Sequence, residues 1–171
     1  MIKNNCAAGI ITVLLLWSQA ALSIPNSQVD LDISAESIAR IALYYEDKPL
    51  SGNEFDFPLP INGISQKFEK TSSFFHLVGN VDNAEIVFLE KQFVLPQVFG
   101  GNTHINLDGS FIHQGIESDA TKNLPMPVLK NISQATTANG VKVKFISELL
   151  AGNYTKGKYA NTFTLIVMPI L

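Results

Sequence analysis

Val29-Asp30-Leu31-Asp32-Ile33-Ser34-Ala35 alternates strictly between apolar and polar residues near the start of the chain. Successive side chains of an extended strand point to opposite faces. One face of this strand therefore carries Val29, Leu31, Ile33 and Ala35. The aspartates on the other face are expected to be solvated charges rather than a catalytic pair. A strand at an N-terminus is free to pair with a domain other than its own.

The residues before this segment have the features of a secretory signal peptide. Lys3 is the only charged residue among the first 23, and the apolar residues 10–17 give way to smaller ones before Ala21-Leu22-Ser23. A basic start, an apolar core and a small-x-small site are typical of an exported protein, and we place cleavage after Ser23. The apolar run is short for a membrane anchor, because a spanning helix needs about 20 apolar residues.

Export limits what the mature chain can be. Removal of residues 1–23 leaves about 148 of the 171, which suits one domain with one core. Cys6, the only cysteine, is lost, so we expect no disulfide. The net charge, −3 for the full chain and about −4 once Lys3 is removed, and the single arginine, Arg40, argue against nucleic acid as a partner.

The mature chain carries the patterns of short β-strands. Residues 38–45 fit a strand or a short helix, and their context favours a strand. Residues 74–81 and 85–95 are rich in aromatic and β-branched residues and flank the turn-forming Asp82-Asn83. Val141-Lys142-Val143-Lys144-Phe145 alternates with its lysines outward, and residues 163–168 form the most apolar strand. About seven such strands predict an antiparallel β-sandwich.

Asp108-Gly109 gives the strongest local turn signal. It separates Ile105-Asn106-Leu107 from Phe111-Ile112, and an Asp-Gly pair supplies the positive φ of a two-residue hairpin turn. The sequence therefore predicts a hairpin that turns at these two residues.

Two connections are rich in proline, Phe57-Pro58-Leu59-Pro60 and Leu124-Pro125-Met126-Pro127-Val128. A ligand for a proline-reading module is one interpretation. An edge strand, or a loop that crosses between sheets, is the simpler one.

The chain has no pattern that indicates catalysis. His76, His104 and His113 lack metal-ligand spacing with a carboxylate, and no Gly-x-Ser-x-Gly elbow occurs. We therefore expect no enzyme activity, no cofactor and no metal site.

In their order and spacing, these features resemble the fimbrial subunits of the alternate chaperone-usher pathway. The likeness is greatest to the major subunit of colonization factor antigen I and the related coli surface antigens. Residues 28–36 resemble the donor strand of those pilins, and Asn106-Leu107-Asp108-Gly109-Ser110-Phe111 is similar to one of their hairpins. Ala151-Gly152-Asn153-Tyr154-Thr155, or alternatively Gly157-Lys158-Tyr159, leads into the last strand and leaves two registers open.

This resemblance implies an all-β fold, an incomplete immunoglobulin-like β-sandwich that a donor strand from a neighbouring subunit completes. Residues 24–36 would be the donor strand and residues 37–171 the pilin domain. Val29, Leu31, Ile33 and Ala35 would enter a neighbour's acceptor groove, which is formed by Phe163, Leu165 and Val167.

The resemblance also implies a function. The protein would reach the cell surface through the periplasm and form a fimbria by donor-strand exchange, supporting adhesion to host cells. Its partners would be a periplasmic chaperone, an outer-membrane usher, identical or related pilin subunits and a tip adhesin. The alternative is a secreted β-sandwich module that binds a carbohydrate or protein and uses residues 29–35 as its own first strand.

Overall fold

The computed structural model describes residues 38–50, 54–99 and 101–170. The predicted signal peptide (1–23) and donor strand (24–36) lie outside these residues. No helix in the three ranges is long and apolar enough to cross a membrane.

The described residues form eleven β-strands, so the prediction of an all-β fold is confirmed. Two 3-10 turns, Ile132–Gln134 and Ala151–Asn153, are the helical elements in these ranges. The strands are β1 (Ile41–Tyr45), β2 (Lys48–Pro49), β3 (Glu69–Thr71), β4 (Phe75–Gly79), β5 (Asn83–Phe88), β6 (Phe93–Pro96), β7 (His104–His113), β8 (Ile116–Asp119), β9 (Leu124–Leu129), β10 (Val141–Ser147) and β11 (Leu165–Ile170).

Most of the predicted strands are present, and one of them is divided into two strands. Residues 38–45 contain β1, as their context indicated, and residues 74–81 contain β4. The prediction of one strand over residues 85–95 is wrong, because bends at residues 89, 91 and 92 separate β5 from β6. β10 alternates as predicted, with Val141, Val143 and Phe145 buried and the lysines between them on the outer face.

The strands form two sheets that pack face to face. In the first sheet β10 lies between β7 on one side and β3 with β4 on the other; β1 pairs with β4, and β6 and β8 with β7. The second sheet has β5 at its centre, with β11 and β9 antiparallel on either side. Between the sheets, the ring of Phe88 lies 5.7 Å from that of Phe111 and 5.6 Å from that of Phe145.

The second proline-rich segment joins the two sheets. β9 pairs antiparallel with β5 up to Pro127, opposite Asn83. Its last two residues pair parallel with β4, Val128 beside Leu77. The segment is therefore a strand that crosses between sheets, in agreement with the simpler of its two interpretations.

The predicted turn at Asp108-Gly109 is wrong, because β7 runs through both residues. The hairpin turns instead at Gln114 and Gly115, whose φ angles are 53° and 79°. A Cβ atom on Gly109 would lie 2.5 Å from Cε2 of Phe93 and 2.8 Å from Cε1 of Phe145. Glycine is needed at this position because two aromatic rings approach the backbone, not because the chain reverses.

The order of the strands matches an immunoglobulin-like sandwich with one place unfilled. Such a sandwich arranges strands A-B-E-D in one sheet and C-F-G in the other. The first sheet holds β1-β4-β10-β7 in the A-B-E-D order, and the second places β11 beside β5, as F beside C. Within the three described ranges no strand pairs with β11 on the side where G would lie.

Candidate strand-accepting edge

β11 is an edge strand of the second sheet. It pairs with β5 from Leu165, opposite Phe88, to Ile170, opposite Asn83. Just before it, the carbonyl of Thr164 accepts a hydrogen bond of 2.9 Å from the Leu89 N–H.

This hydrogen bond fixes which backbone groups of β11 are free. In an antiparallel ladder every second residue directs its N–H and C=O to the neighbouring strand. Counting from Thr164, Ile166 points its backbone groups toward β5, whereas Leu165 and Val167 point theirs away from it. The outer edge of β11 therefore presents donors and acceptors to an incoming strand.

Pro169 fits this register. Its nitrogen lies on the side of β11 that faces away from β5, so the missing N–H costs no bond in the β11–β5 ladder. The outward N–H donors in the described part of β11 are therefore those of Leu165 and Val167.

The predicted groove residues share the inner face at this edge, and they are only half-buried. Phe163, Leu165 and Val167 pack against the core without being enclosed by it. The ring of Phe163 lies 5.2 Å from that of Phe93 and 5.6 Å from that of Phe145. On the adjacent β5 the inward residues are enclosed, Ile86 with 1% of its surface exposed. The core is thus open along β11.

The first proline-rich segment also reaches this core, which the sequence interpretation missed. The ring of Phe57 lies 5.9 Å from that of Phe145, the same ring that Phe163 contacts. The ring of Phe55 packs at a tilt against that of Tyr45, with ring centroids 4.6 Å apart. The period-two spacing of Phe55, Phe57 and Leu59 is the signal that could have revealed an inward face.

The outer edge of β6, by contrast, is covered by the chain itself. Val98 N donates to the carbonyl of Lys158 (2.8 Å), and Ala160 N donates to that of Pro96 (3.2 Å). The Asn161 side chain donates to the carbonyl of Val94 at 2.8 Å. Residues 158–161 thus occupy this edge and leave little room for a foreign strand.

Prolines blunt the outer edge of β9. The 2.9 Å bond from Val128 N to the Asp82 carbonyl sets the alternation of the β9–β5 ladder. In this register the nitrogens of Pro125 and Pro127 face away from β5. That edge lacks two N–H donors that strand addition would use. The outer edge of β11 therefore offers N–H donors to an added strand at Leu165 and Val167, whereas the outer edge of β9 offers none at Pro125 and Pro127.

The two Gly-x-Tyr copies lie before the last strand, and the structure fixes its register through β5 instead. Tyr154 packs its ring 6.1 Å from that of Phe68, and its hydroxyl accepts from Leu149 N at 3.0 Å. Tyr159 donates its hydroxyl to the Thr155 carbonyl at 2.7 Å. Both tyrosines hold loops in place.

The histidines occupy separate structural positions. Nε2 of the buried His76 lies 3.0 Å from the Thr136 carbonyl, and Nδ1 of His113 lies 2.9 Å from that of Gly140, while His104 is exposed. Among the residues with described positions, no group of three His, Cys, Asp or Glu could hold a metal ion.

Two carboxylates on β8 have perturbed ionisation. Glu117 accepts a 2.6 Å hydrogen bond from the Ser110 hydroxyl and lies 3.5 Å from Nζ of Lys144. The Ser110 bond, followed by the charge of Lys144, lowers the pKa of Glu117 below its ordinary value. Hydrogen bonds from Thr121 lower the pKa of Asp119 in the same direction. Both groups are exposed and lie on the first sheet, away from β11.

Comparison with known proteins gives a likeness to solved structures. No family model matches the chain, and no curated protein matches it. A solved structure described as "Chaperone-tip adhesin complex is vital for synergistic activation of CFA/I fimbriae biogenesis" is similar, with a TM-score of 0.49 and 15% sequence identity. The match covers 76% of this chain and 42% of that chain, so this chain spans less than half the length of the other.

Proposed function

We propose that this protein is a structural subunit of a surface fimbria and that β11 accepts the N-terminal strand of a neighbouring subunit. The observation that carries the proposal is the open edge at the place of strand G. There, Phe163, Leu165 and Val167 face the core yet are only partly buried, and the backbone groups of Leu165 and Val167 point outward.

The segment around Leu31 suits this edge in pattern and chemistry. An incoming strand needs alternate apolar side chains to complete the core and a free backbone to continue the ladder. Residues 29–35 supply that alternation, with aspartates on the solvent side. Each of Val29, Leu31 and Ile33 would contribute roughly 1.5–3 kcal/mol on burial, before the cost of ordering the strand.

Such a contact assembles a fibre. The donor segment and the acceptor edge are different surfaces, so each subunit binds the next head to tail, and a contact of this kind propagates when it does not close into a ring. Identical or related pilin subunits and a tip adhesin would be joined in this way.

An open apolar edge also needs protection before assembly. Unpaired strand edges promote aggregation, so we infer that a periplasmic chaperone occupies β11 first and that an outer-membrane usher exchanges it for the next subunit. In this proposal the role of the protein is structural, without catalysis, and it supports attachment of the cell to a host surface.

The alternative of a secreted binding module would use residues 29–35 as the first strand of its own sandwich. β1 already fills the first-strand position beside β4, and this occupancy favours the subunit over the module.

A fused second strand tests the proposal. A copy of residues 27–36, joined to the C-terminus by a flexible linker, would fill the groove of its own domain at a high effective concentration. We expect a soluble monomer that melts at a higher temperature than the unfused protein. The matched control carries Leu31→Asp and Ile33→Asp in the appended copy only. Its melting temperature should equal that of the unfused protein. If the unfused protein is already a stable monomer and the fused strand adds no stability, the binding-module interpretation replaces this one.

A further inference from the structure

The chain enters the domain at one end, which we call the entry end. The Asn80 side chain holds this region, accepting from Arg40 N at 2.6 Å and donating to the Ile38 carbonyl at 2.7 Å. β1 begins here with Ile41, opposite Gly79 at the end of β4.

β11 runs toward this entry end. It starts just after Phe163, whose ring contacts that of Phe145 near the end of β10. It finishes at Ile170, opposite Asn83. The carbonyl of the preceding Asp82 accepts from Val128 N, and Val128 lies beside β4. β11 therefore begins at the far end of the domain and ends at the entry end.

The far end carries exposed apolar side chains on three loops. Leu149 and Leu150 follow β10, and each has 48% of its surface exposed. Val98 and Phe99 follow β6 and are 42% and 75% exposed. Ile64, 97% exposed, lies in a turn that is joined to the loop after β10 by a 2.8 Å hydrogen bond from Ala151 N to the Gln66 carbonyl. We call these five residues the apolar cap.

The direction of the incoming strand decides what faces this cap. A strand that completes an antiparallel sheet beside β11 runs opposite to it, from the entry end of the acceptor to its far end. Residue 36, the last of the donor segment, is then delivered to the far end of the acceptor. This step rests on the proposed function.

The connection to the donor's own domain is short. Only residue 37 separates the donor segment from Ile38, which Asn80 already holds. Two residues of extended chain span at most about 7 Å. The entry end of the donor subunit must therefore lie close to the far end of the acceptor.

We propose that the apolar cap of one subunit packs against the entry end of the next copy along the fibre. The entry end offers Ile38 and Ile170, which are 50% and 45% exposed, as apolar partners. Exposed apolar patches on folded domains commonly mark such contacts. The cap is a second interface, separate from the strand groove, and it stiffens and stabilises the polymer.

Thermal dissociation of the polymer tests this contact. Phe99→Ser and the double variant Leu149→Ser/Leu150→Ser should still polymerise, but the polymers should dissociate several degrees below wild type. Ile116→Ser is the matched control. Ile116 is 69% exposed on β8, at the edge of the first sheet away from β1, and its replacement should not change dissociation.

The outcomes separate the two proposals. Cap variants whose polymers dissociate at the wild-type temperature would overturn the cap contact and leave strand addition standing. Cap variants that lower the melting temperature of the fused-strand monomer by the same amount would show an effect on folding and would also overturn it. Failure of the wild-type protein to polymerise would overturn strand addition itself.

Chemical crosslinking tests the orientation directly. Cys6 is the sole cysteine and lies in the predicted signal peptide, so introduced cysteines would be unique in the mature protein. In polymers of Ile38→Cys/Leu150→Cys, a short thiol-specific crosslinker should give a covalent ladder of many subunits. Each single variant leaves no thiol on the other side of the contact and should give no ladder. Normal polymers without a ladder would contradict the end-to-end contact.

Discussion

Gly109 lies directly against the ring of Phe93, where a methyl group would come within 2.5 Å of Cε2. The ring of Phe145 approaches the same point from the other side, at 2.8 Å. Phe93 and Phe145 lie on β6 and β10, the two strands that flank β7, and both side chains are buried. The close packing of the aromatic core thus depends on a residue without a side chain.

We expect Gly109→Ala to lower the free energy of unfolding by roughly 1–3 kcal/mol, since overpacking a core forces rings and backbone apart. Urea unfolding of the purified protein measures this change. Gly152→Ala is the control, because a Cβ there meets no atom within 4 Å. An equal effect of the two substitutions would contradict the packing role of Gly109.

Gly109 also shows where local patterns mislead. An Asp-Gly pair is typical of a tight turn, yet the reason for this glycine lies in Phe93 and Phe145, which are distant in the sequence. β10 could be predicted, because its alternation comes from having one face buried and one exposed. A sequence pattern predicts local structure when, as in β10, it arises within one strand. It fails when, as at Gly109, the cause is a contact with distant residues.

The open edge illustrates the same limit. The apolar character of β11 is evident from residues 163–168, and the resemblance indicated which of them would line a groove. The direction of its free N–H groups depends on the register with β5, which only the pairing of Leu165 with Phe88 reveals. The apolar cap is formed by residues on three loops that are distant in the sequence, so no window of sequence contains it.

We expect residues 1–23 to be removed during export. If residues 10–17 are the core of a signal peptide, N-terminal sequencing of surface material should begin at Ile24. The mature protein would then lack cysteine, and its melting temperature should not change with a reducing agent. Intact Met1 on a membrane-embedded product would contradict this prediction.

The two faces of the donor segment should respond in opposite ways. Leu31→Asp or Ile33→Asp would place an unpaired charge in an apolar groove, at a cost of several kcal/mol, and should abolish the polymer. The chaperone-bound subunit should still fold. Asp30→Asn, on the solvent face, should assemble like wild type. Electrophoresis without heating measures the polymer, and a Leu31→Asp protein that assembles normally would exclude this segment as the donor.

The carboxylate of Glu117 should make the domain mildly sensitive to acid. Its pKa is lowered in the folded state, so its stabilising contribution is present above the ordinary pKa of about 4.3 and is lost as the pH falls through the lowered value. The effect should be small, because 52% of the side chain is exposed and solvent screens the interaction. In Glu117→Gln and in Ser110→Ala, the free energy of unfolding should depend less on pH between about pH 5 and 3 than it does in the wild type. If both variants show the same pH dependence of the free energy of unfolding as the wild type, the role of the Ser110 hydrogen bond is contradicted.

Proline substitutions in β11 can separate its two edges. In the observed register the N–H of Val167 points outward and that of Ile166 points to β5. Val167→Pro should lower the melting temperature of the unfused protein no more than Val167→Ala does, because the native Pro169 is accommodated in the same orientation. It should prevent polymerisation, because the incoming strand loses a hydrogen bond and meets the proline ring.

Ile166→Pro is the matched control and should behave in the reverse way. It removes a hydrogen bond of the β11–β5 ladder, which should lower the free energy of unfolding by about 1–3 kcal/mol. Val167→Ala corrects for the lost side chain, and it should weaken the polymer without abolishing it. If Val167→Pro assembles as well as Val167→Ala does, the neighbour does not pair with the outer edge of β11, and the acceptor site must lie elsewhere on the domain.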